Sequence, residues 1–441
     1  MKATLKVKNF GPIKDAELDL RNVNVFIGPQ SSGKSTLAKL YNVCRTPLRY
    51  FVEDIFDTFE TDENIKKRTN QNFYNQLEIL NIKNYLNDTT YFKFTSETHT
   101  VEFLKGKISL KRTLLDKIDK IQNTLNNESI EKANILVRNL INKNSFSGTD
   151  IVKSSQEKED GSLLELLMLH LKLNKRIGFN EGDLKRILEK LKNTEQKLLN
   201  FSTYIPAERI LIPILKGSVF NLINQNVPIP KHILSFAAEY EKSRSLISEI
   251  DLSFLKQGFF LKQNDGEDRF FYKENESLLL TEASTGIQSL VPLLFSILAE
   301  KKSSSKHGHD FVIEEPEMNL YPKAQYSLMK FLERDRKDGT LKDTFLHLYT
   351  THSPYILSSF NNMLYAHKKS ILAENDKLKL KEIEEVMPKE NWLNPDNFNA
   401  YTIIDGTAIQ IFDRENGLID DNVIDEVTDE MNNDFDQLLE L

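Results

Sequence analysis

The sequence predicts an α/β fold: an antiparallel β lobe and a mixed, largely parallel core sheet, interrupted by a helical insertion. Three observations point there. An apolar strand, a glycine-rich turn and an amphipathic helix follow one another in "NVFIG", "PQSSG" and "KSTLAKLYNVCR". Strands and helices alternate again from "DFVI" onward. Between the two parts, Leu and Ile recur at helical spacing over a long polar stretch.

Taken in order, "TLKVKNFG" and "AELDL" alternate as half-buried strands do, and "NVFIG" is a buried strand ending on a glycine. The helix after it carries Leu37, Leu40, Tyr41 and Cys44 on one side. "YFKF", "THTVEFL" and "KISLKR" are short antiparallel strands that complete a first lobe, residues 1–112. Residues 113–200 read as a helical hairpin, with "LLELLMLHLKL" and "LKRILEKLKNTEQKLL" as arms and "GFNEGD" as the reversal. Arms of about 16–20 residues reach only ~25–30 Å, the length of a short coiled-coil insertion.

The second lobe, residues 201–441, opens on the strand-like "STYIPAERIL" and the helix "PKHILSFAAEYEKSRSLISEI". "GFFLKQ", "DRFFYK" and "SLLL" form a second antiparallel set, with the turn-prone "NDGED" between the first two. The polar "TEASTGIQSL" then leads into the apolar helix "VPLLFSILAE". The strand "DFVI", a helix from about Pro322, the strand "FLHLYT" and a helix from about Ser353 follow. At the end Ile424, Val427, Met431, Phe435 and Leu438 recur at three- and four-residue steps, giving an amphipathic helix that packs on the body or docks a partner.

Composition narrows the setting. No apolar run approaches the ~20 residues of a membrane span, and the N-terminus has no apolar secretion core, so a cytoplasmic protein that does not enter membranes is expected. Cys44 is the only cysteine, which excludes an intramolecular disulfide and a cysteine zinc site within one chain. The net charge of −7 argues against a uniformly basic nucleic-acid binder. Charge is nevertheless uneven: residues 105–200 carry 19 Lys and Arg against 13 Asp and Glu, leaving −13 for the rest. That segment is either a solvated helical face or a DNA contact.

The chemistry concentrates in three motifs. "GPQSSGKST" supplies Gly28, Pro29, Gln30, Ser31, Ser32, Gly33, Lys34, Ser35 and Thr36, a glycine turn opening a helix, whose inward N–H groups can hold phosphate oxygens. Lys34 reaches the outer phosphates, Ser35 offers a hydroxyl to Mg²⁺ and Thr36 sits near the innermost phosphate. "DFVIEEPEMNLYP" ends an apolar strand on Glu314 and Glu315, one carboxylate for hydrated Mg²⁺ and the next for the attacking water. "TTHSP" ends another strand on His352, followed by Ser353 and Pro354 as N-cap and first helical residue. His352 can donate to a terminal phosphate or position the water.

In order and spacing, these motifs together with "ASTGIQS" resemble the ABC-type ATPases of the SMC/RecF/OLD group. "KNFGPIKDAELDL" is similar to that group's first hairpin, and "YIPAER" to a segment of its stand-alone bacterial members. The resemblance implies an ATPase using ATP and Mg²⁺, with Ser284, Gly286 and Gln288 in a signature motif. There Ser284 gives a hydroxyl and Gly286 a backbone N–H to the nucleotide held by an opposite subunit. A homodimer or higher homo-oligomer with shared ATP sites follows.

Departures qualify the match. "STGIQ" replaces the transporter form, Glu314 stands where many relatives have Asp, and neither Gln71 nor Gln76 suits the Q-loop. Glu208 and Arg209 are either an ion pair or a nucleotide-responsive switch. The string after "TTHSP" comparable to the nuclease of OLD relatives, "TIIDGTAIQIFD", has no Asp-x-Asp, so that nuclease is not expected. The resemblance then extends to ATPase subunits of anti-phage systems such as PARIS or Septu, implying a sensor and scaffold for a separate nuclease or toxin. The alternative is a RecF-like DNA clamp working through the basic segment.

Overall fold

A computed structural model describes residues 3–45, 62–96, 99–111, 201–215, 224–264, 266–303, 309–337, 346–420 and 423–439. The helical hairpin expected at 113–200, and nearly all of the basic segment with it, lies outside these residues.

Strands β1 (Ala3–Phe10) and β2 (Ile13–Leu20) form the expected hairpin, and β3 (Val23–Ile27) is buried throughout. Helix α1 (Lys34–Arg45) follows the glycine turn, and its four predicted apolar residues are fully buried. Helix α2 (Asp62–Ile79) was not expected, because its polar sequence carries a weak apolar stripe; Phe73 and Leu77 are nonetheless buried. Strands β4 (Tyr91–Thr95), β5 (Thr100–Leu104) and β6 (Lys107–Lys111) complete the antiparallel series.

Strand β7 (Phe201–Ile205) is followed by a short helical turn at Ala207–Ile210 and by α3 (Leu211–Leu215). Helix α4 (Lys231–Leu246) stops earlier than expected, since "SEI" enters β8 (Glu249–Asp251). With β9 (Phe260–Asn264), β10 (Glu267–Lys273) and β11 (Glu276–Leu279), β8 forms a small antiparallel sheet in the order β11-β10-β9-β8. Next come α5 (Thr285–Ser303), β12 (His309–Glu314), α6 (Pro322–Lys337), β13 (His347–Thr350) and α7 (Pro354–Leu372). Helix α8 (Lys377–Val386) and the hairpin of β14 (Phe398–Ile404) and β15 (Thr407–Gln410) had no counterpart in the sequence reading. The chain closes on α9 (Val423–Leu439), where Met431, Phe435 and Leu438 are exposed.

One large mixed sheet runs β6-β5-β4-β1-β2-β15-β14-β3-β13-β12-β7. From β14 to β7 all strands are parallel, so their C-terminal ends open on one edge. Side chains alternate across this part, as strand geometry requires. Phe311 and Ile313 enter one core with α5, α6 and α7, while Val312 enters the other with α1 and the first hairpin. Among the described residues no helix is long and apolar enough to cross a membrane.

Candidate nucleotide-binding site

The edge at which the parallel strands end collects the motif residues. Register sets their level: Glu314 lies opposite Thr350, and Thr350 opposite Phe26, one residue before β3 ends. The turn after β3, the carboxylates after β12 and the histidine after β13 therefore emerge side by side. That is where open parallel sheets bind ligands.

The turn demands its glycines. Gly28 has φ +143°, and a Cβ there would lie 2.1 Å from the Ile403 carbonyl oxygen of β14. Gly33 has φ +107°, and its Cβ would lie 2.4 Å from Ile13 Cδ1. Ser31 also takes a left-handed φ of +60°. Lys34 Nζ lies across the turn, donating to the carbonyls of Gly28 and Pro29 at 2.8 Å each. Burial pushes Lys34 down to about 8 against the opposing charges of Glu315, Glu314 and Glu317. Pro29, Gln30, Ser31 and Ser35 are exposed at the rim, Ser32 is half-buried, and Thr36 is buried.

At the end of β12, Glu314 is buried and its Oε1 has no hydrogen-bond partner. The Tyr204 phenol nearby is raised well above its usual pKa, first by burial and then by the Glu314 charge. Glu315 takes a left-handed φ of +41°, and its N–H donates to the Thr350 carbonyl at 2.9 Å. Its Oε1 stands 3.8 Å from His352 Nε2. Burial, followed by the Lys34 charge, lowers the pKa of His352. Ser353 caps α7 as expected, accepting from the Tyr355 N–H at 3.2 Å.

The polar stretch before α5 forms a separate exposed tip. Ser284 and Thr285 are exposed, while Gly286 is buried. A Cβ at Gly286 would lie 2.7 Å from the Asn319 carbonyl oxygen and 3.1 Å from Leu320 Cδ2, so the chain's own packing requires that glycine. Gln288 donates from Nε2 to the carbonyls of Thr281 at 3.0 Å and Ala283 at 2.7 Å. Its amide nitrogen is thus engaged within its own loop.

With this geometry in place, comparison with known families is decisive. Residues 1–162 and 52–357 match the family model described as AAA ATPase domain, AAA_15. The chain belongs to this ATPase family. No curated protein matches it. Among solved structures it is similar to an Smc head domain with extended coiled coil bound to the C-terminal domain of ScpA, from Pyrococcus furiosus. The identity there is 10%, covering 93% of this chain and 95% of the other, with a TM-score of 0.35. Against the SMC head domain from Thermotoga maritima the values are 10%, 93% and 98%, with a TM-score of 0.37. Against the recombination mediator protein RecF with ATPrS, of the RecFOR pathway, they are 13%, 93% and 98%, with a TM-score of 0.30.

The site of this AAA ATPase family member suits its nucleotide and metal. Gly28 and Gly33 leave space that any larger residue would fill, and the buried Ser32 Oγ has no partner. Among the described residues no cluster of three or more His, Cys, Asp or Glu could cage a metal. Mg²⁺ in phosphate sites needs no such cage, since one or two protein oxygens with phosphates and water suffice. Exposed Ser35 and Glu314, whose Oε1 has no partner, are the residues that would hold it.

One functional candidate, Glu317, has no counterpart in the sequence expectations, and a second, Arg209, has other partners than the ion pair offered there. Glu317 accepts from Thr351 Oγ1 at 2.6 Å and from the His352 N–H at 3.0 Å, fixing the backbone that carries His352. Burial raises its pKa against those hydrogen bonds, and its Oε2 is buried without a partner. Arg209 is fully buried and does not pair with Glu208. Glu208 instead lies 3.7 Å from His232, while Arg209 donates only to main-chain carbonyls. Side chains that bind main chain leave no partner pattern in a sequence. Gln71 is exposed on α2, its Nε2 donating to Asn75 Oδ1 at 3.2 Å.

Proposed function

We propose that the chain binds ATP and Mg²⁺ at Gly28–Thr36 and Glu314, hydrolyses ATP with Glu315 and His352, and closes into a homodimer. Each composite site would be completed by the Ser284–Gly286 tip of the second copy. The observation that supports this best is the convergence of the glycine turn, Glu314, Glu315 and His352 at the ends of β3, β12 and β13.

Glu315 is half-exposed, open to a water on the side of His352 and Lys34. It accepts a proton from that water as general base. His352, kept neutral by burial and by Lys34, holds the water or donates to the terminal phosphate. Lys34, still mostly protonated at neutral pH with its pKa about 8, leaves the turn carbonyls to meet phosphate oxygens, whose charge would raise that pKa again. Bound Mg²⁺ would neutralise the outer phosphates.

Glu315→Gln tests this reading. Multiple-turnover hydrolysis falls by about 10²–10⁴-fold, the usual worth of a general base, while ATP affinity stays within a few-fold and ATP-bound dimer accumulates in light scattering. Unimpaired turnover would remove Glu315 from the mechanism.

On the resemblance to stand-alone OLD-like ATPases, the head comprises lobes 1–112 and 201–441 with the hairpin 113–200 inserted. It acts in the cytoplasm as sensor and scaffold for a separately encoded nuclease or toxin in anti-phage defence. Co-purification with the product of an adjacent coding sequence, released or activated by ATP, tests that role. The uneven charge favours a second reading, a DNA clamp. ATPase stimulation by duplex DNA that falls steeply with salt would support it instead.

A further inference from the structure

Arg209 is a fully buried cation that makes four hydrogen bonds, all to backbone oxygens. Nη1 donates to Pro206 at 3.1 Å and to Glu314 at 2.6 Å, and Nη2 donates to Glu315 at 2.7 Å. On the opposite edge Nε donates to the Ser289 carbonyl of α5 at 3.1 Å. The planar guanidinium is therefore a plate with β12's end on one edge and the helix of the exposed tip on the other. Both attachments carry strain or a ladder defect. Glu315 holds a left-handed φ that non-glycine residues adopt only when their surroundings enforce it. Pro292 interrupts α5 one turn beyond Gln288, removing the N–H donor for that carbonyl beside Ser289.

We infer that Arg209 is a positioning residue that couples the α5 tip to Glu315, so that capture of a second copy's nucleotide by Ser284–Gly286 sets the Glu315 carboxylate for hydrolysis. This rests on the composite-site reading above and deepens it. A shift of α5 moves the Ser289 carbonyl, and through a rigid plate the carbonyls of Glu314 and Glu315 move with it. A lysine could hold one edge but not both, because its ammonium lacks the fork. Burial lowers Arg209 to about 10 while the charges of Glu317, Glu315, Glu314 and Glu208 oppose the shift, so it stays protonated at neutral pH.

The test measures hydrolysis per site against protein concentration, using full-length chains and Mg·ATP, with ATP affinity and dimer mass measured in parallel. Wild type should show a rate per site that rises as dimers form. Arg209→Lys should bind ATP and dimerise, yet turn over about 100-fold more slowly, at a rate no longer responsive to concentration. Pro292→Ala, which favours helix and so keeps the chain folded, should straighten α5 away from Arg209. It should weaken the same response even if Arg209→Lys does not fold. If both variants keep the wild-type concentration response, the coupling is wrong. If wild type itself is flat with concentration, the composite-site reading fails, and the coupling fails with it.

Discussion

Gly286 shows how one residue can serve two masters. The resemblance to SMC/RecF/OLD ATPases implies a glycine that lets a backbone N–H approach a phosphate; in the structure it is also where the Asn319 carbonyl lies against α5, leaving no room for a Cβ. Gly286→Ala therefore destabilises the chain even without nucleotide, by about 1–3 kcal/mol as overpacking usually does. Urea unfolding in the absence of ATP measures it, and an unchanged midpoint would leave the phosphate as the glycine's only reason. At this scale the groups with their own chemical pattern were legible: the glycine turn, Glu314, Glu315 and His352. Glu317 was not, and neither were the partners of Arg209, because the groups they bond are a hydroxyl and main-chain atoms, all but the Pro206 carbonyl brought from 34 to 106 residues away.

At the scale of elements, periodicity located the strands and helices that bury a regular face. It failed for α2, whose few apolar residues are spread among polar ones, and for α8, in which no residue is buried. The β14–β15 hairpin is a different miss, since its signal was present. Asp405 and Gly406 sit between alternating apolar residues, and both have positive φ, +49° and +77°, as a tight two-residue hairpin turn requires. That turn also joins the two parts of the sheet, because the Gly406 carbonyl accepts from the N–H groups of Lys14 at 2.8 Å and Asp15 at 3.2 Å. A Cβ on Gly406 would lie 2.3 Å from the Pro12 carbonyl oxygen. Gly406→Ala should accordingly cost about 2–4 kcal/mol through strain and clash together. Thermal unfolding checks it; a loss below ~0.5 kcal/mol, the range of a neutral surface change, would mean the joint is dispensable.

Across the whole molecule, the α/β class and the order of motifs were readable because the parallel strands that carry them are short, buried and apolar. What one chain cannot display in its sequence is the geometry of two. The strand edge that gathers Glu314, Glu315 and His352 and the exposed Ser284–Gly286 tip are distinct features of one chain, and a two-fold pair that exchanged tips would complete both proposed sites at once. Mixing two inactive variants is the most direct measurement of that claim. Lys34→Ala removes the phosphate contact at the variant's own turn, and Ser284→Arg blocks its tip. Each alone should hydrolyse little ATP, whereas an equimolar mixture should recover about a quarter of wild-type sites at random pairing, since each mixed dimer holds one intact composite site. A mixture no more active than the sum of its parts, or full activity of Ser284→Arg alone, would contradict the account.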